Sequence, residues 1–231
     1  MREFSLLEDY PKLDKPRYVS KNQRTIEHRI VASKRGEDFF DGDRNCGYGG
    51  FKYDGRWKKI AKKIVQEYKL VEKSKILQLG CEKGFLLNDL MDIHPNLELQ
   101  GLETSEYAIR KSMDKIKKNI LKVDNYLNLN FEDNYFDFVL GLGVIYVNNL
   151  TDAIRCISEI ERVSNGKSFI SLASYTKPED YWLFKSWSVL GTTILKKEEW
   201  VKVLKHVKYS GDYYFVNSDT LNIAFTKNND I

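Results

Sequence analysis

From Trp57 onward the chain alternates between stretches of helical and strand periodicity. Residues 57–69 set Trp57, Ile60, Ala61, Ile64, Val65 and Tyr68 on one face, which predicts an amphipathic helix. The apolar run Ile76–Leu79 predicts a strand, and Phe85–Ile93 predicts a helix stopped near Pro95. The order then repeats. Leu97–Leu102 reads as a strand, Glu106–Lys117 as a helix, Ile120–Val123 as a short strand and Phe136–Leu142 as a strongly apolar strand. Thr151–Val163 reads as a helix capped by Thr151, Ser168–Ser174 as a strand and Glu198–Val207 as a helix. Tyr209–Val216 and Leu221–Thr226 end the series as two successive strands around a turn at 217–219.

Such alternation predicts an α/β fold, with a mostly parallel sheet between helices and right-handed crossovers. The two final strands predict an antiparallel C-terminal hairpin at one edge. Sheets of this kind hold ligands beyond the C-terminal ends of their strands. The residues after Leu79, Leu102, Val123 and Leu140 are therefore expected to meet at one crevice. The insertion Tyr175–Leu195 is expected to cover the substrate side, while its Tyr181, Phe184 and Trp187, at helical spacing, are expected to be core more than binding surface.

Residues 1–56 differ from the rest of the chain. They are polar and dense in aromatic and charged side chains. Gly42, Gly47, Gly49, Gly50 and Gly55 alternate with Asp41, Asp43, Arg44, Tyr48, Tyr53, Asp54 and Arg56. This composition suits a loop that folds over a ligand, and equally a structural loop held shut by Arg–Asp pairs. The expected division is an N-terminal cap or substrate lid, residues 1–56, ahead of a catalytic domain, residues 57–231.

A length of 231 residues suits one domain with a sizeable core, and no Pro/Gly/Ser-rich linker divides it. The formal charge of +4 is mild, and Lys58, Lys59, Lys62 and Lys63 read as a solvated helix face rather than a nucleic-acid patch. Cys46, Cys81 and Cys156 have no C-x-x-C spacing, which argues against a disulfide framework and a zinc site; no metal is expected. No stretch approaches the roughly 18 apolar residues of a membrane span. Charges interrupt the first ten residues where a secretory leader needs an apolar run. The expected location is cytoplasmic. His28, His94 and His206 read as surface or packing residues, and no Ser-His-Asp or Cys-His set is evident.

The chemistry concentrates in Lys75-Ile-Leu-Gln-Leu-Gly-Cys-Glu-Lys-Gly84 and, some twenty residues on, Leu99-Gln-Gly-Leu-Glu103. A strand running into a glycine turn and helix, then a strand ending in a carboxylate, is how α/β domains hold an adenosine-bearing cofactor. The missing third glycine argues against a dinucleotide pyrophosphate. Together with Asn130-Phe-Glu-Asp-Asn-Tyr-Phe-Asp137 and Ile160-Glu-Arg-Val163, these segments resemble the class I S-adenosylmethionine-dependent methyltransferases from about Trp57 to Thr226.

The resemblance implies a Rossmann-like three-layer sandwich on a seven-stranded sheet, with S-adenosyl-L-methionine as cofactor. It implies that Gly80, Cys81 and Gly84 admit the methionine part and that Glu103 and Thr104 hold the ribose. Asp124 or Asn125 would take the adenine, and Gly141 would line the sulfonium. Two positions depart from the family: Gln78 stands where an acid is usual, and Glu82 where a glycine is usual. Gln78 can still hydrogen-bond the cofactor, and Glu82 could restore a carboxylate close to the lost one. Residues 41–57 also resemble the region ahead of the fold in small bacterial methyltransferases of surface-polysaccharide gene clusters. That likeness implies Tyr48 and Gly49 at the cofactor, Arg44 and Arg56 toward substrate, and Tyr146 as the residue orienting the acceptor.

The expected activity is O-methylation of a small polar acceptor, a sugar or phosphate-bearing intermediate of capsule modification. Two alternatives stand beside it: an RNA or protein methyltransferase, and a weak cofactor-binding partner protein without turnover. The segment Gly141-Leu-Gly-Val-Ile-Tyr146 lacks the Asn/Asp-Pro-Pro-Tyr run of amino-directed nucleic-acid enzymes, so a small-molecule partner is expected over nucleic acid. The oligomeric state is left open.

Overall fold

The computed structural model describes residues 1–11, 15–20 and 23–226. Near the N-terminus lie β1 (Arg2–Glu3), β2 (Arg17–Val19), α1 (Ile26–Ser33) and α2 (Glu37–Phe40). The alternating part continues as α3 (Lys58–Glu67), β3 (Lys75–Leu79), α4 (Phe85–Ile93), β4 (Glu98–Glu103), α5 (Glu106–Arg110), α6 (Asp114–Lys117), β5 (Ile120–Lys122), β6 (Phe138–Gly141), α7 (Leu150–Val163) and β7 (Ser168–Tyr175). The chain ends with α8 (Pro178–Trp187), β8 (Leu195–Lys196), α9 (Lys197–His206), β9 (Asp212–Val216) and β10 (Ile223–Phe225).

The main sheet runs β1-β9-β7-β6-β3-β4-β5, with β8 added beside β7. Period-two alternation distributes its side chains to two faces. Leu77, Leu79, Val139, Ile170 and Leu172 join α7 and α9 in one core, while Ile76, Phe138, Leu140 and Phe169 join α3 and α4 in the other. The result is three layers. Both faces are covered, so β3, β6 and β7 are buried nearly end to end. Trp200 of α9 is fully enclosed and donates its indole N–H to the Ala173 carbonyl at 2.7 Å, pinning that helix to β7. Among the described residues no helix is long and apolar enough to cross a membrane.

The antiparallel C-terminal hairpin does not form. β9 pairs with β7 in parallel, and its other edge is occupied by β1, also parallel, in the register Arg2↔Asp212. The helix α9 between β7 and β9 is a crossover, which returns the chain in the same direction. With both edges of β9 filled, β10 has no place in the main sheet. A turn in which Leu221 N–H bonds the Asn217 carbonyl and Ile223 N–H that of Ser218 leads it away, and it pairs in parallel with β2. With β8 beside β7 the sheet has eight strands where seven were expected, and β1 stands where a hairpin strand was expected.

Two helix ends also differ. The cap of α7 is Asn149, whose Oδ1 accepts from Asp152 N–H at 3.0 Å, two residues before Thr151. The helix expected over 106–117 splits into α5 and α6, because Met113 N–H leaves the ladder to bond the Lys83 carbonyl at 3.1 Å.

Residues before Trp57 divide three ways. Leu6 is fully buried against α3, β1 completes the sheet edge and β2 pairs with β10. The stretch 24–53 lies over the C-terminal ends of the strands. Arg29 fixes it to α8 by donating to the carbonyls of Lys185, Ser188 and Val189 at the helix end.

Candidate active site

The turn after β3 is built by hydrogen bonds to the neighbouring strand. Gly80 and Cys81 N–H both donate to the Leu102 carbonyl, at 2.9 and 3.2 Å, folding the chain over the end of β4. Gly84 caps α4 with φ 75°, where an added Cβ would meet Ile116 Cγ2 at 2.6 Å. Between them Glu82 holds φ 54°, a conformation that disfavours any side chain. Its N–H is anchored by Glu103 Oε2 at 2.8 Å.

Glu103 ends β4 and is completely buried. Besides the Glu82 N–H, its carboxylate accepts Thr104 N–H and Ser105 N–H, each at 2.8 Å, and Arg35 Nη2 at 3.5 Å. Arg35 also lies 4.0 Å from Glu82, with its guanidinium 5.1 Å from the Phe39 ring. Its Nε is buried without a partner. Burial works against the Arg35 charge, but Glu103 and then Glu82 outweigh it and raise its pKa. Tyr48 donates its hydroxyl to Glu82 Oε1 at 2.5 Å. Burial lifts the Glu82 carboxyl to about 7, against the opposing pull of Arg35 and Tyr48. Burial, reinforced by Glu82, raises the Tyr146 hydroxyl to about 12.

Polar pairs fasten the covering stretch to the turn. Lys83, nearly buried, donates to Asp41 at 2.7 and 2.8 Å and to the Phe51 carbonyl at 2.8 Å, while Tyr107 donates to the same carboxylate at 2.8 Å. Tyr53 bonds Asp89. Stacked rings complete the seam: Tyr48 and Phe51 lie 4.4 Å apart and Phe51 and Phe85 4.8 Å.

Under this cover lies a cavity of about 270 Å³ at the C-terminal ends of β3, β4, β5 and β6. It brings together seven residues expected from sequence: Gly80, Thr104, Asp124, Asn125, Tyr146, Tyr48 and Arg44. The remaining expected residues do not line it. Cys81 turns its side chain into the core beneath Gly101. Gly84 serves helix packing, and Gly141 is walled in by Ile160 and Val144, leaving Gly143 on the cavity wall. Gly49 sits behind Arg44, and Gly47 takes its place at the wall. Glu103 is buried behind Arg35 and Thr104, which both contact its carboxylate and line the cavity, and Gln78 is buried with its Oε1 unpartnered. Arg56 faces solvent, paired with Asp54 at 2.5 Å and with the Tyr10 hydroxyl at 3.0 Å.

Sequence reasoning missed Arg24, Arg35, Tyr126 and Trp187 on the wall. Glu82 was visible as a departure from glycine that could restore a lost carboxylate, and it does line the wall. Arg35 carries no local signal, since its reach across 68 residues to Glu103 is purely tertiary. Of the insertion's aromatics, Phe184 is core as expected, whereas Trp187 faces the cavity.

A protein family described as a methyltransferase domain matches residues 70–218. Among curated relatives, the tRNA N(3)-methylcytidine methyltransferase trm141 of Schizosaccharomyces pombe is 31% identical over 116 residues, covering 48% of this chain and 44% of that protein. The demethylmenaquinone methyltransferase of Thermotoga maritima is 26% identical over 129 residues, covering 55% and 54%. The chain thus spans about half the length of the curated relatives it matches. Among solved structures, the YcgJ protein of Bacillus subtilis superposes with a TM-score of 0.52 at 12% identity, over 64% of this chain and 66% of that one. A chain from the complex of the Haloferax volcanii Trm112 methyltransferase activator with a methyltransferase gives 0.51 at 16% identity, over 78% and 75%. These two likenesses speak to the fold.

Proposed function

This chain belongs to the methyltransferase-domain family, as a class I S-adenosylmethionine-dependent methyltransferase, and from that premise we propose that it methylates an oxygen of a small, phosphate- or sugar-bearing acceptor. The observation that carries the proposal is the cavity itself, which joins a carboxylate, Glu82, to arginines of the covering stretch, Arg24 and Arg44. A cationic donor and an anionic acceptor each find an opposite charge there.

The residues fit the cofactor. Glu82 puts a carboxylate on the cavity wall, where the positive charge of the donor would meet it. Thr104, Asp124 and Asn125 would hold the adenosine end. Glu103 would take the ribose hydroxyls in exchange for Arg35, whose 3.5 Å contact is the longest that its carboxylate makes. When bound, the cofactor supplies a methyl carbon made electrophilic by its sulfonium. The chain's own part is alignment. Tyr48 holds Glu82 in place, the stacked rings narrow the opening, and Tyr146 stands on the wall to orient an acceptor hydroxyl. A phosphate or carboxylate oxygen needs no base, so alignment alone serves it.

Transfer of labelled methyl from S-adenosylmethionine to a small-molecule extract, sensitive to phosphatase pretreatment, is the expected result. A second reading, tRNA as acceptor, is favoured by the resemblance to the fission-yeast enzyme. Label appearing in bulk tRNA and in no small-molecule fraction would reverse the order. A capsule or surface-polysaccharide role rests on the narrower resemblance of residues 41–57 and is tested by the same extract fractionated for nucleotide sugars.

A further inference from the structure

Beside the main cavity lies a smaller one of about 200 Å³, lined by Arg17, Arg24, Arg44 and Trp187 together with β2 and Gln23. Arg24, Arg44 and Trp187 line both, so the smaller space is a side chamber of the larger. It is strongly cationic. Among the described residues no carboxylate lies within ion-pair distance of any of the three guanidiniums, although Arg2, Arg35, Arg56 and Arg162 each have one. Their hydrogen bonds among the described residues go to backbone carbonyls: Arg17 to Leu221 at 2.6 Å, Arg24 to Arg44 at 3.1 Å, and Arg44 to Gly47 at 3.1 Å and Tyr48 at 2.6 Å. A guanidinium has five donors, so most of theirs are unfilled. The Trp187 Nε1–H, buried, also finds no acceptor, and its ring centroid lies 6.0 Å from the Arg17 guanidinium.

Like charges gathered in a partly enclosed space cost free energy until an anion joins them. The cost registers on the residues: burial, then Arg44 and Arg29, lowers Arg24 to about 10, and burial lowers Arg17. We propose that Arg17, Arg24, Arg44 and Trp187 form a subsite for a phosphoryl group of the methyl acceptor. A phosphoryl group brings close to two negative charges and three strong acceptor oxygens, which suits three forked donors and an indole N–H. A carboxylate, with one charge, leaves most of the positive charge uncompensated. The cofactor does not need the chamber, because Asp124 and Asn125 on the main cavity's wall lie outside it. A small, walled chamber suits a terminal phosphate or diphosphate better than a continuous nucleic-acid backbone. The subsite rests on the small-acceptor reading above and sharpens it to a phosphomonoester or a diphosphate-linked sugar.

The test is calorimetric titration of the full chain with orthophosphate, pyrophosphate and uridine diphosphate at fixed ionic strength, with S-adenosylhomocysteine as control ligand. The expected result is binding of pyrophosphate that Arg17→Gln and Arg24→Gln each weaken roughly tenfold and Trp187→Phe roughly threefold, with S-adenosylhomocysteine affinity unchanged. Orthophosphate binding as well as pyrophosphate assigns a monoester; uridine diphosphate exceeding both assigns a diphosphate-linked acceptor. Should Arg24→Gln not fold, Arg17→Gln and Trp187→Phe decide alone. No pyrophosphate binding by the wild-type chain, or binding indifferent to these substitutions, overturns the subsite. So does tRNA binding lost in the variants when pyrophosphate never binds. The two readings fail separately. A phosphosugar methylated equally well by wild type, Arg17→Gln and Arg24→Gln removes the subsite and keeps the small acceptor. Methylation of tRNA alone removes the small acceptor, while pyrophosphate binding still reports on the chamber.

Discussion

The sheet with its helices and the stretch laid over the strand ends are held by different physics. Between β7 and α9, apolar side chains interlock: Trp200, Leu204, Ile170 and Leu172 lose all contact with water. Over the cavity, the cover is fastened by a few directed contacts, Lys83–Asp41, Tyr53–Asp89, Tyr48–Glu82 and Arg35–Glu103. The first arrangement is nondirectional and additive, and it gives a rigid frame. The second depends on charge and geometry, and one of its anchors, Glu82, lines the cavity itself, with Glu103 buried behind Arg35. The contacts that fasten the cover and the wall of the cavity thus share Glu82.

The difference can be broken first at its rigid side. Trp200→Ala empties the largest fully buried side chain and loses the bond to Ala173; a stability loss of about 3–5 kcal/mol is expected by urea denaturation, in a single cooperative transition. A loss under about 1 kcal/mol would contradict the assigned core.

On the cover, Asp41→Ala strands Lys83 with its charge nearly buried. The expected cost is about 2 kcal/mol, between the buried and exposed limits because Asp41 is a quarter exposed. Unlike Trp200→Ala, it should raise hydrogen exchange locally in 37–53 while the β7 amides stay protected. Uniform loss of protection would mean that cover and frame form one unit.

Glu82→Gln keeps the shape of the wall and removes its charge. S-adenosylmethionine should bind roughly tenfold more weakly with little change in stability. Unchanged affinity would remove Glu82 from the cofactor's surroundings.

A smaller effect comes from protonation. Folding raises the Glu82 carboxyl from 4.5 to about 7, so the folded chain holds this proton more tightly than the unfolded one. Below pH 4.5 both states are protonated and the group costs nothing; as pH climbs toward 7 the ligand-free chain loses stability through this group. A cationic ligand favours the ionised form, so the melting-temperature rise given by S-adenosylmethionine should be larger at about pH 8 than at about pH 6. An equal or reversed difference would separate Glu82 from the bound cation.

The same contrast governs what could be read from sequence. α4 spans Phe85–Ile93 as expected, because local periodicity and burial agree there. The rule that ligands gather at strand ends anticipated that Gly80, Thr104, Asp124 and Asn125 share one cavity wall. It could not say that the Cys81 side chain turns into the core beneath Gly101, or that Ile160 and Val144 wall in the Gly141 backbone. The pairing of β10 with β2 and the reach of Arg35 to Glu103 are tertiary choices with no local periodicity behind them. Glu82 was legible as an irregularity, a side chain where glycine suits the backbone, and strained positions of that kind mark functional sites.

The central claim is that the turn after β3 and the cover above it make one cofactor site. The most direct measurement is calorimetric binding of S-adenosylhomocysteine combined with hydrogen exchange of the complex. One equivalent bound, with protection gained together in residues 35–53, 78–84 and 103–105, is the predicted result. No binding, or binding that protects the turn and leaves 35–53 unchanged, would contradict it.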